Sequence, residues 1–304
     1  MNESIGDIFK YNIGLLAKMD KAVIYFREQE CDKALKLIAN SIDEVKLSIE
    51  LIISNREYFN VVKTESMLEM LTGILEAKRN SDYVLLADLL ELQLINFLTG
   101  VQELIISKEE IEFNEDNYNN STKMLMSHSE GFEEMLHEPI NTARLLEKGY
   151  RVEFTSCGLM TLAAENQGER FYFHTNNKIQ TEAFLLARNW YQMERKHYNI
   201  YGFGMGYHLR ELLAIDPQAE ITIYESDVNV IQLACAFTDL SKVFINPKVK
   251  VIFDPAFDKV KKLLADPKEV TGLLVHYPSY KNIRSTEGRE LLAPSLPWLK
   301  VLEA

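Results

Sequence analysis

Cysteine is scarce in this chain: Cys31, Cys157 and Cys235 are its only three among 304 residues. They lie far apart, odd in number, with no CxxC or Cys/His metal spacing, which excludes a disulfide framework or a zinc ribbon. No metal site is expected on that basis. Basic charge is also in deficit, with Lys+Arg 33 against Asp+Glu 45 and a net charge of -12. Such a field repels phosphate backbones, so nucleic acid is not an expected partner. No continuous apolar run approaches the roughly 20 residues of a membrane span. Met1-Asn2-Glu3-Ser4 offers neither the basic start nor the apolar stretch of a signal peptide. A cytoplasmic location without a membrane partner is the expectation. Proline is the last absence, since Pro139 is the first in the chain.

What remains is a globular balance, 47% hydrophobic and 26% charged. The length suits two domains, each with its own core. From Ile5 to Ser107 apolar residues recur at helical spacing. One stripe runs Ile8, Ile13, Leu15, Leu16, Met19, Val23 and Phe26. A second helix is predicted over Cys31–Asn55, with Asp32 at its start. Two more follow over Glu65–Ala77 and Asp82–Ser107, the last capped by Ser81 or Asp82. The polar faces suit the solvated sides of an antiparallel bundle, which could also form a homodimer. Asn114 to Asn120 reads as a polar loop. Short helices are predicted at Glu130–Leu136 and Thr142–Lys148, and the domain boundary is placed here, giving 1–140 and 141–304.

Residues 150–174 alternate as short strands with a turn at Asn166-Gln167-Gly168, a small hairpin or meander. His174 stands at a strand end, where an ordinary histidine is expected before a ligand. A helix over Lys178–Arg195 follows. Beyond it strands and helices alternate, with strands at His197–Tyr201, Glu220–Tyr224, Lys248–Phe253 and Thr271–His276. That order implies a parallel, doubly wound sheet with helices on both faces.

Ligands of such sheets bind at the carboxyl ends of the strands. The first strand runs into Gly202-Phe203-Gly204-Met205-Gly206. Glycines let the backbone bend tightly and approach a ligand, and the following helix aims free N–H groups at the same point. His208 lies just inside that helix. Glu225 ends the second strand about twenty residues beyond the turn, where a carboxylate accepts from ribose hydroxyls. Asp227 suits the cap of the next helix. Asp254, after the third strand, fits an adenine amino group or a helix cap equally. The fourth strand ends in His276-Tyr277-Pro278-Ser279-Tyr280, where His276 and Tyr277 are the candidates for acid, base or stacking roles. Gly202, Gly204, Gly206, His208, Glu225 and Asp254 thus form the candidate cofactor site.

Glycine turn, acid after strand two, aspartate after strand three and polar residues after strand four resemble the class I S-adenosylmethionine-dependent methyltransferases, over Tyr198 to Tyr280. The resemblance implies a Rossmann-like, methyltransferase-type sheet and S-adenosylmethionine as cofactor. Two departures stand beside it. Ile200 occupies the position, two before the first glycine, where that family usually has an acid, and His276-Tyr277-Pro278-Ser279 replaces Asn/Asp-Pro-Pro-Tyr.

Tyr201 to His208, Ile223 to Asp227, Asp239-Leu240-Ser241 and His276 to Ser279 also resemble the N-terminal region of the motility accessory factor family, linked to flagellin glycosylation. That similarity spans Tyr150 to Ser285 and implies a non-catalytic accessory module binding a nucleotide or protein partner, with the sugar-transfer domain outside this chain. An NAD(P)-dependent oxidoreductase fits less well, since the spacing is Gly-x-Gly-x-Gly and no catalytic Tyr/Lys pair is evident.

Overall fold

The helical periodicity of the first hundred residues becomes six helices in a computed structural model, which describes residues 3–60, 64–108, 115–132, 142–266 and 272–296. They are α1 (Glu3–Arg27), α2 (Cys31–Ala39), α3 (Ile42–Ser54), α4 (Thr64–Arg79), α5 (Tyr83–Leu89) and α6 (Ile95–Ile106). With segments 154–159 and 177–181 these form one compact unit. Leu15, Leu16, Met19, Leu86, Leu90 and Leu98 are buried in its main core.

The predicted helix over Cys31–Asn55 is two helices. The chain turns at Asn40-Ser41, where Ser41 Oγ donates back to Leu37 O at 2.8 Å. A hydroxyl that bonds its own preceding turn competes with helix continuation. Asp32 lies in the first turn of α2 without capping it, because the cap position is Glu30. Asp82 does cap α5, its Oδ1 accepting from Leu85 N at 2.9 Å.

α5 passes through a π-helical turn, Leu90–Leu94, into α6. Tyr83–Ile106 is thereby one helical run of 24 residues, long and apolar enough by length and composition to cross a membrane. Asp88 and Glu91 interrupt its apolar sequence, so it is not a continuous apolar run. Leu86, Leu90, Leu94, Leu98, Val101 and Ile105 turn one face of it inward.

The second unit contains 112–153, 160–176 and 182–304. It opens with α7 (Glu115–Ser127), where a loop is expected from the asparagines. Tyr118, Ser121, Thr122 and Leu125 make a buried face on α7, and tertiary packing outweighs weak helix propensity. A two-residue strand, β1 (Ser129–Glu130), follows, and α8 spans Thr142–Glu147. The predicted helix over Glu130–Leu136 falls largely outside the described residues.

A three-stranded sheet runs in the order β2 (Arg151–Phe154), β3 (Met160–Asn166), β4 (Glu169–Tyr172). α9 (Ile179–Trp190) then leads to β5 (His197–Tyr201), α10 (Tyr207–Ile215), β6 (Glu220–Glu225), α11 (Val228–Phe237) and α12 (Ser241–Phe244). β7 (Val249–Phe253), α13 (Asp258–Ala265), β8 (Leu274–Val275), α14 (Tyr277–Asn282) and α15 (Thr286–Leu292) complete it.

The five-stranded sheet is parallel throughout, ordered β1-β7-β6-β5-β8. This is a Rossmann-like α/β architecture, as the alternation implies. Its order reverses between β5 and β8, the switch point at which ligands of open parallel sheets bind. β8 is shorter than the predicted Thr271–His276, pairing only Leu274 and Val275 with Ile200 and Tyr201. Thr271 itself lies outside the described residues.

Candidate functional site at the switch point

The glycine turn leaves β5 with Gly202 at φ +107°, Gly204 at +50° and Gly206 at +77°. Positive φ is natural to glycine and strained for other residues, which accounts for the repeat. Space accounts for it as well. A Cβ on Gly202 would lie 2.5 Å from Ser279 Cβ and 2.8 Å from His276 Cβ. One on Gly204 would lie 3.0 Å from His276 Cε1 and 3.2 Å from His174 Nε2. One on Gly206 would meet Leu240 Cδ2 at 2.9 Å. The turn is therefore roofed by side chains, and residues 202–209 are all buried.

Glu225 sits under this roof, 2% exposed. Its Oε2 accepts from Phe203 N at 2.9 Å, and its Oε1 from Ser226 N and Asp227 N at 2.8 and 3.0 Å. Both oxygens fasten the glycine turn and the second strand end to each other. Burial lifts its pKa to about 7, against the opposing pull of these N–H donors. Asp254 turns into its own helix, with Oδ2 accepting from Lys259 N and Val260 N, both at 2.9 Å. Of the two roles open to Asp254, the cap is the one its carboxylate fills here.

The histidines converge. His276 follows β8, His208 lies in the first turn of α10, and His174 comes from beyond β4. They are 1%, 0% and 2% exposed. Ring centroids are 4.5 Å apart for His208–His276, 5.2 Å for His174–His276 and 6.2 Å for His174–His208. Each ring is anchored on its outer side. His174 Nδ1 meets Glu182 Oε1 at 3.2 Å, His208 Nε2 donates to Gly202 O at 3.2 Å, and His276 Nδ1 meets Ser279 Oγ at 2.8 Å.

Burial pushes His208 down to about 3 and His276 well below the ordinary imidazole range, with neighbouring imidazoles adding to both shifts. Both rings are neutral at physiological pH. Burial would raise Glu182, but its bond and charge interaction with His174 and its bonds to Thr175 outweigh that, and it lies below its usual value. Sequence reasoning found His208 and His276 for the site but treated His174 as an ordinary strand-end residue. Nothing in the spacing links the three, and only the meeting of two sheets does.

A cavity of about 950 Å³ lies along β8 and reaches His174 and His276. Its walls include Phe173, His174, Glu182, Trp190, His276 and Tyr277. Asn176 and Asn189 add amide groups, and among the described residues no Lys or Arg lines it. Tyr277 is half-buried with its ring 6.2 Å from that of Tyr280. Neither Glu225 nor Asp254 borders this space.

A second buried network braces the strand ends. Tyr150 Oη donates to Asp227 Oδ2, and Asn282 Nδ2 donates to Asp227 Oδ2 and to Tyr150 Oη, both at 3.0 Å. Asp227 Oδ1 also accepts from Asn229 N at 2.9 Å, the capping role expected of it. Burial, with the Asp227 charge adding to it, raises the Tyr150 phenol far above its ordinary value, so it stays a donor. No protein-family model, curated protein or solved structure matches the chain.

Proposed function

We propose that this chain binds an adenosyl ligand without phosphates, S-adenosylmethionine first among them, as a methyltransferase-type Rossmann protein. The observation that carries the reading is the cavity of about 950 Å³ beside the switch point. Its volume is at the upper end of the ~300–1,000 Å³ usual for small-molecule sites. Aromatic walls at Trp190, Phe173 and Tyr277 suit a purine face. Asn176, Asn189 and Glu182 offer partners for hydroxyl and ammonium groups. With no Lys or Arg among the described residues of its walls, the cavity suits a neutral or cationic ligand better than a polyphosphate.

In this reading the turn packs behind His276, a wall residue of the cavity, and Glu225 holds the turn rather than a ribose. A ligand lying across the glycines themselves does not fit, because Ser279 and His276 already fill that space. The reading concerns binding, and no residue is assigned to methyl transfer.

Calorimetry and thermal shift with S-adenosylmethionine, S-adenosylhomocysteine, ATP and nucleotide sugars test it. One equivalent of S-adenosylhomocysteine bound at micromolar concentration, weakened at least tenfold by Trp190→Ala, is the expected result. Absence of binding at high micromolar concentration overturns it. Binding of ATP or a nucleotide sugar instead would favour the second reading, an accessory module related to flagellin-modifying proteins. The motive for that alternative is Ile200, a fully buried apolar side chain where methyltransferases usually carry an acid.

A further inference from the structure

Two histidine nitrogens at the switch point are buried without any partner: His208 Nδ1 and His276 Nε2. An unpaired buried acceptor costs about 1–3 kcal/mol, so such atoms ask for an explanation. The tautomers supply one. Gly202 O can only accept, so His208 Nε2 carries the proton and Nδ1 keeps its lone pair. The Glu182 carboxylate likewise fixes the proton of His174 on Nδ1, leaving Nε2 to accept from Met205 N at 3.2 Å. Ser279 Oγ engages His276 Nδ1, so Nε2 is the nitrogen left over. One nitrogen from each of the three rings lies within 4.8 Å of the other two.

We propose that His174, His208 and His276 form a binding site for a divalent transition-metal ion of the zinc class. Three imidazoles with an open fourth position are the ligand pattern of exchangeable zinc sites. A tetrahedral ion with nitrogen bonds of ~2.1 Å sets its imidazole centroids about 5 Å apart, and those here are separated by 4.5, 5.2 and 6.2 Å. Loading would draw the nitrogens from within 4.8 Å toward the ~3.4 Å of a bound set, displacing the Met205 N–H from His174.

Two of the outer anchors, the Glu182 carboxylate and the Gly202 carbonyl, fix tautomer and ring orientation as the partners of metal-bound histidines do, and the Ser279 hydroxyl orients the His276 ring. Gly204 keeps a Cβ out of the space between His174 and His276. Because His174 and His276 also border the cavity, the fourth ligand would come from there, as water or as the bound molecule.

The site stands whether or not an adenosyl ligand occupies the cavity, so its test uses metal alone. The untagged full-length chain is stripped with a chelator, loaded with Zn²⁺ or Co²⁺ and desalted. One equivalent of metal per chain is expected, with the intense visible bands of tetrahedral cobalt. His208→Gln and His276→Gln should each lower affinity at least tenfold, and Glu182→Gln by about 10–100-fold through the lost outer anchor. His128→Gln and His197→Gln, outside the cluster, should leave it unchanged. X-ray absorption at the zinc edge counts ligands on the unmutated chain, so misfolded variants cannot blur the outcome. Three imidazoles support the site. Sub-stoichiometric uptake, thiolate ligation, or uptake that survives both histidine variants overturns it.

Discussion

Replacing Gly202 by alanine tests whether the turn is a packed joint of the sheet. The added methyl would sit 2.5 Å from Ser279 Cβ, 2.6 Å from Ser279 Oγ and 2.8 Å from His276 Cβ. Both neighbours are buried, and the contacts lie at the stems of these side chains, so neither can swing aside cheaply. Over-packing by one methyl in a filled core costs about 1–3 kcal/mol. Holding a side-chain-bearing residue at φ +107° adds a further ~1–3 kcal/mol. The expected loss is therefore about 2–6 kcal/mol, a large share of the roughly 5–15 kcal/mol that keeps a domain folded. Gly100 provides the control. It lies exposed within α6, nothing stands within 4 Å of its would-be Cβ, and alanine there should gain about 0.5–1 kcal/mol. Urea unfolding followed by tryptophan fluorescence reads Gly202→Ala, since buried Trp190 belongs to the same unit as Gly202, and far-UV circular dichroism reads Gly100→Ala in the helical unit. A Gly202→Ala protein within ~0.5 kcal/mol of the parent would refute the packed-joint reasoning.

Three other outcomes follow from the same geometry. Burial raises the Glu225 carboxyl in the folded chain to about 7, against 4.5 when unfolded. Its share of stability is thus full below pH 4.5 and lost as pH rises through 7, a fall of about 3 kcal/mol. Glu225→Gln should remove that slope between pH 4.5 and 7 in denaturation series, and an unchanged slope would show the carboxyl is not the source. Tyr150→Phe should cost about 1.5–3 kcal/mol by removing a hydrogen bond to the Asp227 carboxylate, whose Oδ2 keeps its bond from Asn282. A double-mutant cycle with Asn282→Ala should return a coupling of ~0.5–3 kcal/mol, whereas additive losses would deny the network. Asp82→Ala removes the cap on Leu85 N and should lower stability by about 1 kcal/mol, visible as lost helicity at raised temperature.

The alternation of strand and helix from His197 onward was legible because each strand is a short apolar run and each turn carries its own chemistry. Glycine at 202, 204 and 206 marked the turn, and the carboxylate at 227 marked a cap that the structure bears out. Helix α7 was illegible because its asparagines disfavour helix locally, while the decisive contacts come from α11, more than a hundred residues later. The break at Asn40-Ser41 comes with a hydroxyl-to-carbonyl bond from Ser41, which no periodicity records. Strand β1 is two residues of ladder at a sheet edge, too short for any alternation to show.

The histidine cluster was illegible for a deeper reason. His174 belongs to the strand end of one sheet, whereas His208 and His276 belong to the switch point of another, and only tertiary docking relates them. The glycine turn is what makes that docking feasible. Gly202 offers its carbonyl to His208 and lets Ser279 and His276 approach its Cα. Gly204 keeps the gap between His174 and His276 free of a Cβ, and Gly206, at φ +77°, starts the helix that carries His208. Glu225 locks the turn through Phe203 N. A motif that in sequence reads as a cradle for a nucleotide thus serves here to aim imidazoles. Of the residues that departed from the methyltransferase pattern, it is His276 and Ser279 that allow this, because the pair supplies both a ring and the hydroxyl that orients it.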